Sequence, residues 1–165
     1  MKKWYVIYTK PGQEKIALTN LERQGYVCYL PLIKTKKRRQ SVIIRQVEPM
    51  FPRYLFVELN LQIDNCSSIR STLGVSRMVR FGEYTAVIPT RLIEVLKQRE
   101  YDGIFKPPSR TLKKGDPVRI INGAFSGYEG IFEAASSKER ITLMLEFAGQ
   151  CALVQTDASQ LEQII

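Results

Sequence analysis

The sequence predicts an α+β protein in two unequal parts. Helices pack on a mainly antiparallel sheet over residues 1–101, and a small all-β barrel follows over residues 114–165. Three observations lead there. Over the first part, short runs of β-branched and aromatic residues alternate with breaker-free stretches of helical period. Residues 102–113 (DGIFKPPSRTLK) combine two adjacent prolines, a serine and several charges, the composition of a linker. Beyond it, Gly115, Gly123, Gly127 and Gly130 punctuate short apolar runs at the spacing of barrel strands.

Each element of the first part has a local reason. Residues 4–9 (WYVIYT) are β-branched and aromatic and read as a buried strand. After the Lys10-Pro11-Gly12 turn, residues 13–24 form a helix with Ala17, Leu18 and Leu21 inward and Gly25 as its stop. Asn20, Arg23 and Gln24 fall on the opposite face at spacings of three and four, either as a solvated surface or as a nucleic-acid contact. Residues 26–30 give a second strand. Lys34 to Gln40 then holds five positive charges in seven residues. Between strands 26–33 and 41–47 this run becomes a hairpin tip able to lie on a phosphate backbone, although such runs are usually mobile solvated loops.

The stretch 48–57 (EPMFPRYLFV) is the centre of the chain. Pro49 and Pro52 fix two φ angles and remove two amide donors, so it is a turn or bulge feeding the strand 54–59. Tyr54, Leu55, Phe56 and Val57 do not alternate with polar residues. The strand is therefore either covered on both faces or offers an apolar surface to a partner. Asp64 can cap a short helix over 65–72 that Gly74 closes. Residues 75–81 form a strand carrying Arg77 and Arg80. Pro89 opens a helix over 90–101 with Leu92, Ile93 and Leu96 as its apolar stripe. This β-α-β-β-α-β-α order predicts a ferredoxin-like domain, helices on one side of the sheet, with an inserted basic hairpin. In the last part, residues 141–147 and 151–155 read as strands around a turn at Gly149-Gln150.

Composition limits the function. The chain has no histidine and no glycine-rich phosphate or nucleophile motif, so an enzyme is not expected. Cys28, Cys66 and Cys151 are odd in number and widely spaced, and are read as free thiols, with neither metal nor cofactor. The apolar run at the N-terminus is too short for a signal or a membrane span, which places the protein in the cytoplasm. Residues 1–100 hold 18 Lys+Arg against 8 Asp+Glu, whereas residues 114–165 hold 4 against 7. A basic first module suits phosphate backbones; the acidic second module suits something else.

WYVIYTKPGQE, FPRYLFV, LGVSRMVRF and GDPVRIINGAFSGYEGIF recur in this order in the NusG/RfaH transcription elongation factors, which the chain resembles over essentially its whole length. GAFSGYEGIF, the short LGV segment and the linker length look closer to the specialised RfaH-type paralogues. The resemblance implies an NGN domain (1–101) bound to the clamp helices of RNA polymerase, where it suppresses pausing or termination. A KOW domain (114–165) would recruit a ribosomal protein or termination factor. It implies Tyr8, Phe51, Pro52, Tyr54, Phe56, Ile93 and Leu96 as the polymerase-binding patch, and Asn65, Cys66, Ser67 and Ser68 as a second polymerase contact. Lys10, Asn20, Arg23, Gln24, Thr72 and Gly74 would touch non-template DNA. The matches are incomplete. Asn65-Cys66-Ser67-Ser68 stands where those paralogues carry a His-Thr-Thr-Thr type stretch, Asn20 replaces a histidine and Leu73 an arginine.

Some of these paralogues hold the KOW domain as a helical hairpin docked on the patch. That makes an α-helical hairpin the alternative to an SH3-like barrel, with Glu48, Phe132, Arg140, Leu143 and Leu145 as interdomain residues. The expectation is a monomeric, non-membrane elongation and antitermination factor. The competing reading is a ribosomal-type KOW nucleic-acid binder that never docks on polymerase.

Overall fold

The protein is described from a computed structural model covering residues 1–107 and 126–161. The elements in order are β1 (Lys3–Thr9), α1 (Glu14–Arg23), β2 (Val27–Tyr29), β3 (Leu32–Arg39), β4 (Val42–Pro49), β5 (Tyr54–Leu59), α2 (Cys66–Arg70) and β6 (Val75–Met78). The short strands β7 (Arg80–Phe81), β8 (Tyr84–Thr85) and β9 (Val87–Ile88) lead to α3 (Thr90–Gln98). After it come β10 (Glu100–Tyr101), β11 (Ile104–Phe105), α4 (Ser126–Glu133) and α5 (Ser137–Leu161).

Strands β2, β5, β1 and β6 pair in that order, and β9 shares the β6 edge of β1, all antiparallel. Alternate residues of β1 and β5 supply two separate cores. Tyr5, Ile7, Leu55, Val57 and Leu59 meet Ala17 and Leu21 of α1 and Ile69 of α2. Trp4, Val6 and Phe56 meet Leu92, Ile93 and Leu96 on the other face. The expected arrangement, with the helices on one side, is thus corrected: α1 and α2 cover one face and α3 the opposite one. The apolar residues of β5 alternate between two buried faces, which requires cover on each.

In the segment 114–165 the described residues take the alternative form, the docked helical hairpin, in place of the barrel. Among the described residues this segment is helical, as α4 and α5, and the strands expected over 141–147 and 151–155 are one continuous helix. Residues 114–125, with the glycines at 115 and 123, lie outside the described residues. Burial supplies the reason. Tyr128, Ile131 and Phe132 of α4 sit at spacings of three and four, and Met144, Ala148 and Ala152 of α5 at spacings of four. All are buried, and all but Ala152 belong to the core that contains Met50, Phe51 and Phe56. Burying side chains such as Ile131, Phe132 and Met144 stabilises by about 1.5–3 kcal/mol each. That outweighs the cost of roughly 1 kcal/mol for Gly130 inside α4. Helix α4 ends at Glu133, and just beyond it the Glu139 carboxylate accepts from the Ala135 and Ser136 amides at 3.0 and 3.3 Å and so caps the start of α5.

Smaller differences follow from local bonding. Asn65, not Asp64, caps α2, its side chain accepting from the Ser67 amide at 3.0 Å, while Asp64 accepts from the Asn60 amide at 2.7 Å. The stretch 75–81 divides at Val79, whose amide reaches Val6. Helix α3 stops at Gln98, before the expected Tyr101. Within the expected linker, Phe105 is fully buried, pairing with Ile33 across β3 and stacking 5.5 Å from Phe132.

The basic run is not a loop either. It forms β3, paired with β4 from Leu32↔Pro49 to Arg39↔Val42 across a two-residue turn. Gln40 and Ser41 both take positive φ (47° and 66°), which the right-handed twist of a tight hairpin demands and Asn-Gly supplies most readily. Replacing Gln40-Ser41 by Asn-Gly is expected to stabilise the protein by about 1 kcal/mol, seen as a higher midpoint in thermal denaturation.

Candidate polymerase- and DNA-facing surfaces

The expected polymerase patch is where the two halves of the chain meet. The turn at residues 50–53 is held by bonds from the Met50 amide to Pro31 O (2.8 Å) and from the Tyr54 amide to Phe51 O (2.9 Å). Arg53 sits at φ 71°, and its amide donates to the buried Glu14 carboxylate at 2.9 Å. Phe51 and Phe56 pack edge to face at 5.8 Å and are fully buried, as is Leu96; Ile93 is nearly so. Tyr8, Pro52 and Tyr54 remain half-buried. The rings of Tyr8 and Tyr54 lie 5.0 Å apart, and the Arg53 and Arg77 guanidiniums stack over Tyr8 at 4.1 and 4.7 Å. The seven expected residues therefore divide into a covered centre (Phe51, Phe56, Ile93, Leu96) and an accessible rim (Tyr8, Pro52, Tyr54).

The cover is the C-terminal segment. Arg140, 4% exposed, donates from Nε to the Met50 carbonyl at 2.9 Å. Burial lowers the pKa of its guanidinium, while the charges of Glu48 and Glu139 act in the opposite sense. The expected Glu48–Arg140 pair is thus present only as a charge interaction. The Glu48 carboxylate takes its ion pair from Lys37 at 2.9 Å and a hydrogen bond from Gln46 at 2.8 Å. Desolvation pushes the Glu48 pKa up, but the hydrogen bonds from Lys37 and Gln46 together with the Lys37 charge leave it below the ordinary value. Phe132 is gripped between the Phe105 ring and the Arg99 guanidinium, the latter 4.6 Å from the ring centroid. Leu143 and Leu145 are half-buried at the edge of this core, not at its centre, which Met144 and Ala148 occupy. Met50, Arg99, Phe105, Ile131, Met144 and Ala148 escaped the sequence reading. The apolar Ile104-Phe105 doublet inside the proline-rich stretch was the one available signal.

The six residues expected at DNA come together on one surface. The Lys10 amide donates to Gly74 O at 2.9 Å, and Gln24 Nε2 donates to the Thr72 hydroxyl at 2.7 Å. Gln24 Nε2 also reaches Asn20 O at 3.0 Å, and Asn20 Nδ2 donates to Ile16 O at 2.8 Å. Lys10 and Arg23 are exposed with their charged ends free among the described contacts. Thr72 is buried and donates to Ser68 O at 2.8 Å, so it holds Gln24 in place and is not itself open to a base. Gly74 has φ 88°, and a Cβ there would lie 2.7 Å from the Ala17 amide nitrogen. Its role is to let the loop close on α1. Beside this surface, Ser68 meets the Tyr26 hydroxyl at 2.8 Å and Cys66 is half-buried, which leaves Asn65 and Ser67 as the exposed members of that quartet.

Away from the surfaces, burial and Glu22 push the Cys28 thiol up to about 12, and the Tyr29 hydroxyl donates to Glu100 with its own pKa raised by burial and that bond. Among the described residues the three cysteines are unbridged, and no group of His, Cys, Asp and Glu could hold a metal ion. No helix of the described residues is long and apolar enough to cross a membrane.

Two substitutions test these assignments. Gly74→Ala is expected to destabilise the fold by about 2 kcal/mol or more, measurable by urea denaturation, because the strained φ and the contact with α1 act together. Arg140→Ala leaves the Met50 carbonyl unpaired and is expected to cost about 1–3 kcal/mol in docking of the C-terminal helices. Hydrogen exchange should quicken in α5 and not in β1.

The NusG family model, described as transcription termination factor nusG, matches residues 2–97. The transcription termination/antitermination protein NusG of Pseudomonas aeruginosa is 24% identical across 99% of this chain and 99% of its own. The Staphylococcus aureus protein of the same name is 24% identical across 99% of this chain and 96% of its own. A solved structure concerning domain interaction in Thermotoga maritima NusG is 25% identical over 76% of this chain and 75% of that one, with a TM-score of 0.41. With more than half its length matched by the family model, and with relatives that are transcription termination/antitermination proteins, the chain belongs to the NusG family.

Proposed function

We propose that the protein is a transcription elongation and antitermination factor that docks on the clamp helices of RNA polymerase and is closed in the conformation described above. One observation carries this reading. The aromatic patch expected to meet polymerase lies under α4 and α5, in a single apolar core shared by Phe51, Phe56, Ile131, Phe132 and Met144. Helices on polymerase could reach Tyr8, Pro52 and Tyr54 but not Phe51. Docking therefore requires α4 and α5 to leave, and the apolar surface they uncover is what a helical partner binds.

The features that favour the specialised RfaH-type branch of the family are the helical form of the C-terminal segment and the contact of Arg140 with the turn at Met50. Once released, the segment would act as the KOW domain toward a ribosomal protein or a termination factor. Lys10 and Arg23, with the acceptor oxygen of Gln24, would contact non-template DNA while Thr72 and Gly74 shape that surface. The domain limits follow the same division, 1–101 for docking and 114–165 for the cover, in a monomer working in the cytoplasm without catalysis.

The expected outcome is that Ile131→Ser with Phe132→Ser in the full chain loosens the cover and raises affinity for core RNA polymerase by about tenfold or more, since two buried anchors are lost. Adding Tyr54→Ala to that variant should remove about 2 kcal/mol of the binding. Phe56 is unsuitable for this test because it is a core residue of the sheet. A loosened variant that keeps its β-sheet and still ignores polymerase contradicts the proposal.

A further inference from the structure

A cleft of about 680 Å³ lies where the root of the β3–β4 ribbon meets the end of α4. One wall is β3 from Ile33 to Lys36, with Pro107 beside it. The other is the end of α4 and the turn that follows it to Ala135, backed by Arg140 of α5. The β3 wall is an open strand edge. It pairs with β11 at the single position Ile33↔Phe105, and farther out β3 pairs only with β4 among the described residues. The two halves of the chain thus face each other across the cleft, and neither half alone encloses it.

Its polar groups are mostly donors. Lys34, Lys36 and Arg140 line the cleft against one acid, Glu133, which is exposed. Of the two acids whose charge reaches Arg140, Glu48 is matched by Lys37 at 2.9 Å and Glu139 caps α5. Arg140 spends Nε on the Met50 carbonyl and Nη1 on the Ala134 carbonyl, at 2.9 and 3.5 Å, and its Nη2 has no partner among the described residues. Thr35 also lines the cleft, and its hydroxyl is buried without a hydrogen-bond partner among the described residues. Buried polar groups are normally satisfied, so two with spare donors in one cleft point to an acceptor that occupies it. Three cations select an acceptor of more than one negative charge, and a phosphate monoester brings nearly two charges and three acceptor oxygens. The cleft is larger than a bare phosphate ion needs and lies within the range of about 300–1,000 Å³ typical of small-ligand sites. Ile33, Pro107 and Ala135 supply apolar wall for an organic part. A polymer backbone is not selected, because Arg140 is enclosed, 4% exposed.

We propose that this cleft binds a small phosphate monoester, its phosphate held by Lys34, Lys36 and Arg140 and its organic part against Ile33 and Pro107. Because both halves of the chain supply walls, the ligand binds the closed form and holds α4 and α5 in place. The proposal rests on the closed conformation and not on polymerase docking, and its test contains no polymerase. The full chain is titrated at constant ionic strength with phenyl phosphate and with adenosine 5′-monophosphate, and with phenol and adenosine as uncharged controls, following amide chemical shifts. At least one phosphate should saturate, moving residues 33–36 and 132–140, with its uncharged counterpart about tenfold weaker or more. Lys34→Gln/Lys36→Gln, both exposed positions, should weaken binding by about tenfold or more. Arg38→Gln/Arg45→Gln, farther along the ribbon, should change it by about twofold or less. With ligand at a hundred times its Kd, hydrogen exchange through opening of α5 should slow by about a hundredfold. The loosened variant Ile131→Ser/Phe132→Ser should not bind. Circular dichroism and the thermal midpoint without ligand establish that each variant is folded. Failure of both phosphates to saturate would overturn the proposal, as would equal losses in the two lysine and arginine variants. So would unchanged exchange in α5 at saturation, or wild-type binding by the loosened variant.

Discussion

β5 has apolar side chains on both faces, and a strand in that position must be covered twice or leave hydrophobic surface in water. The first cover is local: α1 and α2 lie over Leu55, Val57 and Leu59. The second is composite. α3 supplies Leu92, Ile93 and Leu96, and the remaining area around Met50 and Phe51 is closed by α4 and α5, residues distant in sequence. Everything else about the closed form depends on that second cover being part of the same chain. If α4 and α5 withdrew, Met50 and Phe51 would be left at the surface, so the two halves are linked by the ordinary free energy of apolar burial.

The C-terminal segment can serve this purpose because its sequence satisfies two periods at once. Ile141, Leu143, Leu145 and Phe147 alternate with Thr142, Met144 and Glu146, an adequate pattern for a half-buried strand. Arg140, Met144, Ala148 and Ala152 recur every fourth residue, and these are the buried positions in the helix, while Leu143 and Phe147 turn toward α4. Local preference alone does not choose between the two. The partner surface does, because helix formation takes its stability mainly from the packing of one face. Polar contacts add direction: Arg140 reaches the Met50 carbonyl, a bond that only this docking geometry provides.

Electrostatics divides the molecule along other lines. The cations of β3 and β4 are exposed and largely uncompensated, whereas Arg140 is enclosed and Glu48 is held by Lys37 and Gln46. Exposed charges steer partners and respond to salt; enclosed ones respond to whether their surroundings stay assembled. The surface of α1 combines both kinds. Lys10 and Arg23 are free to meet a phosphate or base, and Gln24 is aimed by Thr72. A position matched by a sequence motif can thus serve either by touching a partner or by shaping the residues that do, as Gly74 does by letting its loop lie against Ala17.

The first half of the fold was legible in the sequence because its signals are local. β-branched runs marked β1 and β5, the stripe of Leu92, Ile93 and Leu96 marked α3, and Gly25 and Gly74 marked stops that short-range sterics require. The recurrence of several motifs in order also identified the family. Local signals could not say on which face of the sheet each helix lies, nor that Phe105 within a proline-rich stretch would be buried, since both depend on distant surfaces. Nor could they show that the basic run is paired strand, because charge hides the β-pairing that the Gln40-Ser41 turn enforces. Least of all could they decide the C-terminal segment, where glycines and alternating apolar residues favour strands. Only the tertiary structure resolved that choice, because the energy that selects the helix lies in the apolar surface around Met50 and Phe51, about ninety residues earlier in the chain.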